Sequence, residues 1–254
     1  MTTLTATRAL TSLHARELLR DHRYFWFALF FPYGMLGLFL LIGSLVPKGD
    51  GGPDFSQTVI PMALYLAVTS AALTVTAGPL AGMRSKGTLR LLGTTPIGRA
   101  RLLYTHMSVR IVMILCQTVV LLAIAAALGI VRAANLLPLF GITVLGMALF
   151  GSIGYLIGGR LSSPDAATNF GTLIQLAALF LGGLTFPLYL LPSAVGRALS
   201  YLPTSFYADL MQTQLPAGRP MHQAWISVLV VALTTLVVAT LAVRTFKWDQ
   251  DEPR

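Results

Sequence analysis

The sequence predicts an all-α membrane protein with six transmembrane helices, an N-terminal interfacial helix and short re-entrant extracellular helices between helices 5 and 6. Three observations predict it. First, 55% of the 254 residues are hydrophobic, only 11% are charged, and mean hydropathy is +0.74. A soluble domain carries about 25% charged residues and could not hide so much apolar surface. Second, six stretches lack Asp, Glu, Lys and Arg: 24–47, 55–83, 111–131, 133–159, 166–196 and 220–243. Each is long enough to cross a bilayer, which takes about 20 residues of helix. Third, of 18 Lys and Arg, only Lys48, Arg132, Arg197 and Arg219 fall in the loops on one side. The other fourteen lie on the opposite side, with both termini.

That asymmetry follows the positive-inside rule and puts both termini in the cytoplasm of a multi-pass protein of the prokaryotic plasma membrane. It also accounts for the formal charge of +9 without invoking nucleic acid; the expected surroundings are the lipid bilayer. The single Cys116 excludes an internal disulfide and is expected to be a small buried residue. No cleavable signal peptide is expected, because the first apolar run starts at Tyr24 and is long enough to span. The chain reads as one transmembrane domain, 1–254, without an internal repeat.

In chain order, residues 7–23 project as a helix with Arg8, Arg16, Arg20 and Arg23 on one arc and His14, Glu17 and Asp21 on another. Such a helix suits the headgroup layer. The second span carries Thr69, Ser70, Thr74 and Thr76, and the small-x-x-x-small pattern Gly78-Pro-Leu-Ala-Gly82. A second such pattern, Gly154-Tyr-Leu-Ile-Gly158, ends the fourth span, and both allow close helix approach. The fifth span spaces Asn169, Thr172 and Gln175 by three on one face. These polar faces either hydrogen-bond between helices or line a pathway. The pathway candidates are Thr69, Thr76, Asn169, Thr172, Gln175 and Phe180.

Two connecting segments are unusual. The cytoplasmic loop 84–101 carries Arg84, Lys86, Arg90, Arg99 and Arg101 with no acid. Within it, Thr88 starts a short helix, Leu89, Leu91 and Leu92 give it an apolar face, and Gly93 stops it before Pro96. A short apolar-faced helix at the membrane surface suits docking of another protein. The extracellular segment 186–209 is broken by Pro187, Pro192 and Pro203, yet it is too apolar for an ordinary loop. Irregular backbone at that depth is tolerated only against protein or a water-filled cavity. Phe186, Pro187, Pro192 and Pro203 are therefore the candidates for an extracellular gate.

Some chemistry is missing. His14, His22, His106 and His222 lie near span ends, and sequence spacing pairs none of them as metal ligands. No acid falls in mid-span, so ion coupling has no carrier, and a pathway without buried charge is expected. A phosphate-binding loop needs Gly directly before Lys. Lys48, Lys86 and Lys247 follow Pro47, Ser85 and Phe246. No nucleophile–base pair is evident, so no catalytic residue is assigned and an enzyme is disfavoured.

Taken together, these pieces resemble the membrane subunit of an ABC-2-type (type 2 ABC) exporter, over essentially the whole chain. Gly87-Thr-Leu-Arg-Leu-Leu-Gly-Thr-Thr-Pro96 is similar to the family's coupling helix, and the Pro-broken segment 186–209 to its re-entrant pair. The resemblance implies that Gly87, Thr88, Leu89, Arg90, Leu91 and Leu92 meet a separate ABC ATPase subunit, present in two copies. It also implies a second permease subunit, a homodimer rather than a heterodimer. ATP and Mg2+ would sit on the ATPase, with no cofactor or metal bound by this chain. The expected cargo is amphipathic or lipophilic: a drug, an antibiotic or a lipid-like compound. Family members often carry Glu just before Gly-Thr-Leu; Ser85 and Lys86 stand there, so the facing ATPase groove is expected to be more acidic. A stand-alone secondary transporter or channel is the alternative.

Overall fold

The computed structural model describes residues 3–20, 22–45, 55–94, 99–185, 188, 191–215 and 218–246. Among them every regular element is helical. Phe186 and Pro187 lie outside the described residues. So do Thr95 and Pro96.

The amphipathic N-terminal segment forms α1 (Thr3–Arg20), and the first apolar run forms α2 (His22–Leu45). Leu10, His14 and Leu18 make the buried stripe of α1, which packs on α6 (Arg99–Ala127). Arg8, Arg16 and Arg20 point outward, as the helical projection requires.

The second predicted span is the core of the molecule. It comprises α3 (Phe55–Thr69), a π-helical turn (Ser70–Thr74) and α4 (Val75–Ser85), unbroken and buried on all sides from Val59 to Gly78. A helix that is apolar all round is driven to the centre. It is surrounded by α2, α6, α7 (Ala133–Gly158) and α8 (Pro164–Leu181). Both small-residue patterns serve this packing. Gly154 of α7 lies directly on the Ala72 carbonyl in the π-turn, and a Cβ on Gly158 would come 2.8 Å from the Ala77 carbonyl. Gly78 of α4 receives the Thr168 hydroxyl of α8 in the same way.

Among the described residues, five helical stretches are long and apolar enough to cross a membrane: Phe25–Ile42, Val59–Ser85, Arg101–Ala127, Ala133–Gly158 and Ala224–Arg244. The predicted run 166–196 instead yields α8, which has 18 residues and spans about 27 Å. Its limits are chemical. Ser163 caps the start, accepting from the Ala166 amide at 3.3 Å, ahead of Pro164 and Asp165. Gly182 ends it, and Gly183 turns the chain with φ +87°.

After that turn come α9 (Ser193–Ser200) and α10 (Pro203–Gln212), then α11 (Ala224–Arg244). Pro192 and Pro203 stand at the starts of α9 and α10, where a missing N–H costs nothing. α10 is re-entrant. Tyr207 is fully buried, with its phenol against Gly146, midway along the 26-residue α7. Tyr207, Phe150 and Tyr65 stack edge-on or tilted with ring centroids 5.5–6.1 Å apart and close the centre of the chain.

Candidate functional site

α5 (Thr88–Gly93) sits at one end of the bundle, where the ends of several helices gather. Phe246, beyond α11, packs with Leu89 of α5, and α1 lies nearby on α6. This end is built from α5 inward.

The chain leaves α4 through a turn in which the Lys86 amide donates to the Gly82 carbonyl at 3.1 Å and Gly87 to Arg84 at 2.9 Å. Gly87 has φ +71°, a left-handed conformation that a Cβ disfavours, although the space around it is open. α5 follows at once. Leu89 is 1% exposed and sits among Leu80, Met83, Leu102, Leu103, Tyr155 and Phe246. Leu91, two residues on, is 72% exposed. The Thr94 hydroxyl donates back to the Leu91 carbonyl at 2.8 Å where the helix stops. Thr88 is half-buried and lines a cleft of about 500 Å3 with Leu13, Glu17, Arg20, Lys86 and Pro164. Arg90 and Leu92 belong to α5; their side chains lie outside the described set.

Two arginines counted among the loop charges, Arg84 and Arg110, prove to be buried. Arg84 donates to the carbonyls of Gly159, at 2.6 Å, and Leu161, pinning α4 to the α7–α8 turn. Arg110 lies on α6, eleven residues past its start. Its Nε donates to the Val75 carbonyl at 3.1 Å and its Nη1 to His106 at 3.1 Å. Pro79 explains the first bond. It has no N–H to offer the carbonyl four residues back, so Val75 needs another donor, and Arg110 supplies it.

Beside Arg110, His106 Nδ1 meets the Tyr155 hydroxyl at 2.8 Å, and the His106 ring stands edge-on to His14 at 4.9 Å. His14 Nδ1 is 3.3 Å from Glu17 Oε2. Both imidazoles are fully buried, although the sequence places them at span ends and in the headgroup layer. This polar layer joins α1, α4, α6 and α7 directly beneath α5. Sequence reasoning missed it. The usable signals were Pro79 inside the second span, which demands a donor, and the helical spacings His14–Glu17 and His106–Arg110.

The pathway candidates separate into two groups. Thr69 and Thr76 are buried, and their hydroxyls donate to their own helix, to Tyr65 at 2.8 Å and Ala71 at 2.9 Å. Gln175 is buried as well; its side-chain oxygen accepts from Thr74 at 3.4 Å and its carbonyl from Tyr65 at 3.4 Å. Asn169 and Phe180 lie on the exposed face of α8, with Thr172 at its margin bonded to the Thr168 carbonyl at 3.0 Å. The structure thus joins Thr74 to Gln175 and leaves Asn169 and Phe180 outward. Cys116, expected to be buried, is exposed on the outer face of α6.

Residues 42–244 match the family model described as ABC-2 family transporter protein. The chain belongs to the ABC-2 transporter family. No curated protein matches it. The ABC-2 chain is therefore a multi-pass membrane permease of an ABC transporter, a class of subunit that typically lacks its own ATPase and works with an ABC ATPase partner. In this permease, a short helix with one leucine anchored inward and one presented outward stands over a polar layer that reaches the central span.

Proposed function

We propose that the permease is the membrane half of an ATP-driven exporter of amphipathic or lipophilic molecules, with α5 as the element through which a separate ATPase drives it. The observation that carries this reading is α5 itself. Leu89 ties it into the ends of α4, α6, α7 and α11, while Leu91 stands outward at 72% exposure. An exposed leucine on a rigidly anchored helix is an economical docking point.

In this reading the α5 end and both termini face the cytoplasm of a prokaryotic cell. Two ATPase copies hold the ATP and Mg2+. A second permease copy covers the exposed face of α8. Support for that face comes from Asn169, which is exposed on a membrane helix and needs a partner or a watered path. Closure of the ATPase pair pushes α5, and the polar layer passes the movement to the central span. Release is gated at the opposite end by the segment holding α9 and α10. The test is co-expression with an ABC ATPase subunit encoded beside the permease gene. Charge reversal Arg90→Glu, or a bulky residue at Gly87, is expected to leave ATP hydrolysis running while transport falls. Transport by the purified permease without any ATPase would contradict the reading.

A further inference from the structure

From the geometry of His14, Glu17 and His106 we infer that this chain carries a structural binding site for a divalent transition metal, Zn2+ by preference, clipping α1 to α6. One ligand atom from each of the three residues lies within 4.8 Å of the others. His14 and His106 are fully buried, and the Nε2 atom of each has no hydrogen-bond partner among the described residues. Buried imidazole nitrogens without a partner are costly, and two such rings edge-on at 4.9 Å with a carboxylate alongside call for a ligand that accepts their lone pairs. Two imidazole nitrogens and one carboxylate are the donor set of a three-ligand zinc site.

The surroundings fit. The Tyr155 hydroxyl holds His106 Nδ1 at 2.8 Å, which fixes the ring with Nε2 free to coordinate. Glu17 also lines the cleft of about 500 Å3 between α1, α4 and α5, so one of the three ligands borders an open cavity. Arg110 lies close by and opposes a dication, but its guanidinium is turned to the carbonyls of Val75 and His106. Glu17 is then the compensating charge, and binding depends on it. The three ligands come from two helices, α1 and α6, that are separated in sequence by the first two spans and α5. Binding would fix the interfacial helix to the base of α6, beside the Thr88 and Lys86 wall of the same cleft. This site does not rest on the exporter reading.

The test is Zn2+ titration of the full-length chain in detergent, carrying no histidine tag, against a competing chelator. One Zn2+ per chain is expected, with a rise in melting temperature. His14→Ala and His106→Ala should each weaken binding by roughly tenfold or more and abolish the thermal rise. Glu17→Gln should do the same, and exposed His22→Ala should change neither. Tetrahedral Co2+ absorption in the native chain, lost in His14→Ala, reports the ligand geometry directly. If His106→Ala fails to fold, His14→Ala on the peripheral helix decides. Absence of stoichiometric binding, or binding that survives the combined His14→Ala and Glu17→Gln change, would overturn the site.

Discussion

Single residues carry the polar accounting of this bundle. Arg110 serves the carbonyl that Pro79 strands on Val75, so Arg110→Met leaves that carbonyl unpaired inside the core at a cost of about 1–3 kcal/mol. A lowered melting temperature checks this, and Pro79→Ala in the same background, by restoring the helical N–H, is expected to recover part of it. Asp209 does similar work at the opposite end. Its carboxylate accepts from the amides of Met221 at 3.1 Å and His222 at 3.2 Å and meets His222 Nδ1 at 2.7 Å, closing α10 onto the start of α11. Asp209→Ala orphans those donors and is expected to destabilise by about 3 kcal/mol. Cys116→Ser, on the exposed face, is expected to shift thermal stability by less than about 0.5 kcal/mol. At Gly87, Ala adds no clash but must adopt φ +71°, so a loss of about 1 kcal/mol falls on the turn that aims α5.

At the scale of elements, the close approach of α7 to the π-turn decides the architecture. Gly154→Leu forces a side chain onto the Ala72 carbonyl, and overpacking of this kind costs about 1–3 kcal/mol or more. Gly141→Leu, on the same helix with open space around it, serves as the comparison, and thermal melts of the two should differ clearly. The sequence already showed α1, the second span, α5 and the Pro-broken short helices before α11, because each has a periodic or punctuated signature. Arg8, Arg16 and Arg20 fall on one arc, Gly87 and Gly93 bracket α5, and Pro192 and Pro203 mark helix starts. The 18-residue length of α8 was written in Ser163-Pro-Asp and Gly182-Gly183, but a charge-free run alone overshoots such boundaries. The burial of Arg84, Arg110, His14 and His106 was not legible. Charge counting assigns an arginine to a loop by position, whereas burial depends on which carbonyls another helix leaves unpaired.

For the whole molecule, the layers stack in one direction. Leu91 faces outward, Leu89 anchors the end of the bundle, the polar layer of His106, Tyr155 and Arg110 sits beneath, and the π-turn lies at mid-span. A push on α5 therefore meets the helix that touches every other layer. The central claim is that a separate ATPase acts through α5. Its most direct test is ATP-dependent transport by the permease co-reconstituted with its ATPase, comparing native protein with Leu91→Asp. Leu91 is exposed, so the change is expected to leave folding intact while ATPase association and transport fall by at least about tenfold, equivalent to about 1.4 kcal/mol. Undiminished ATP-driven transport by the Leu91→Asp permease would contradict the claim.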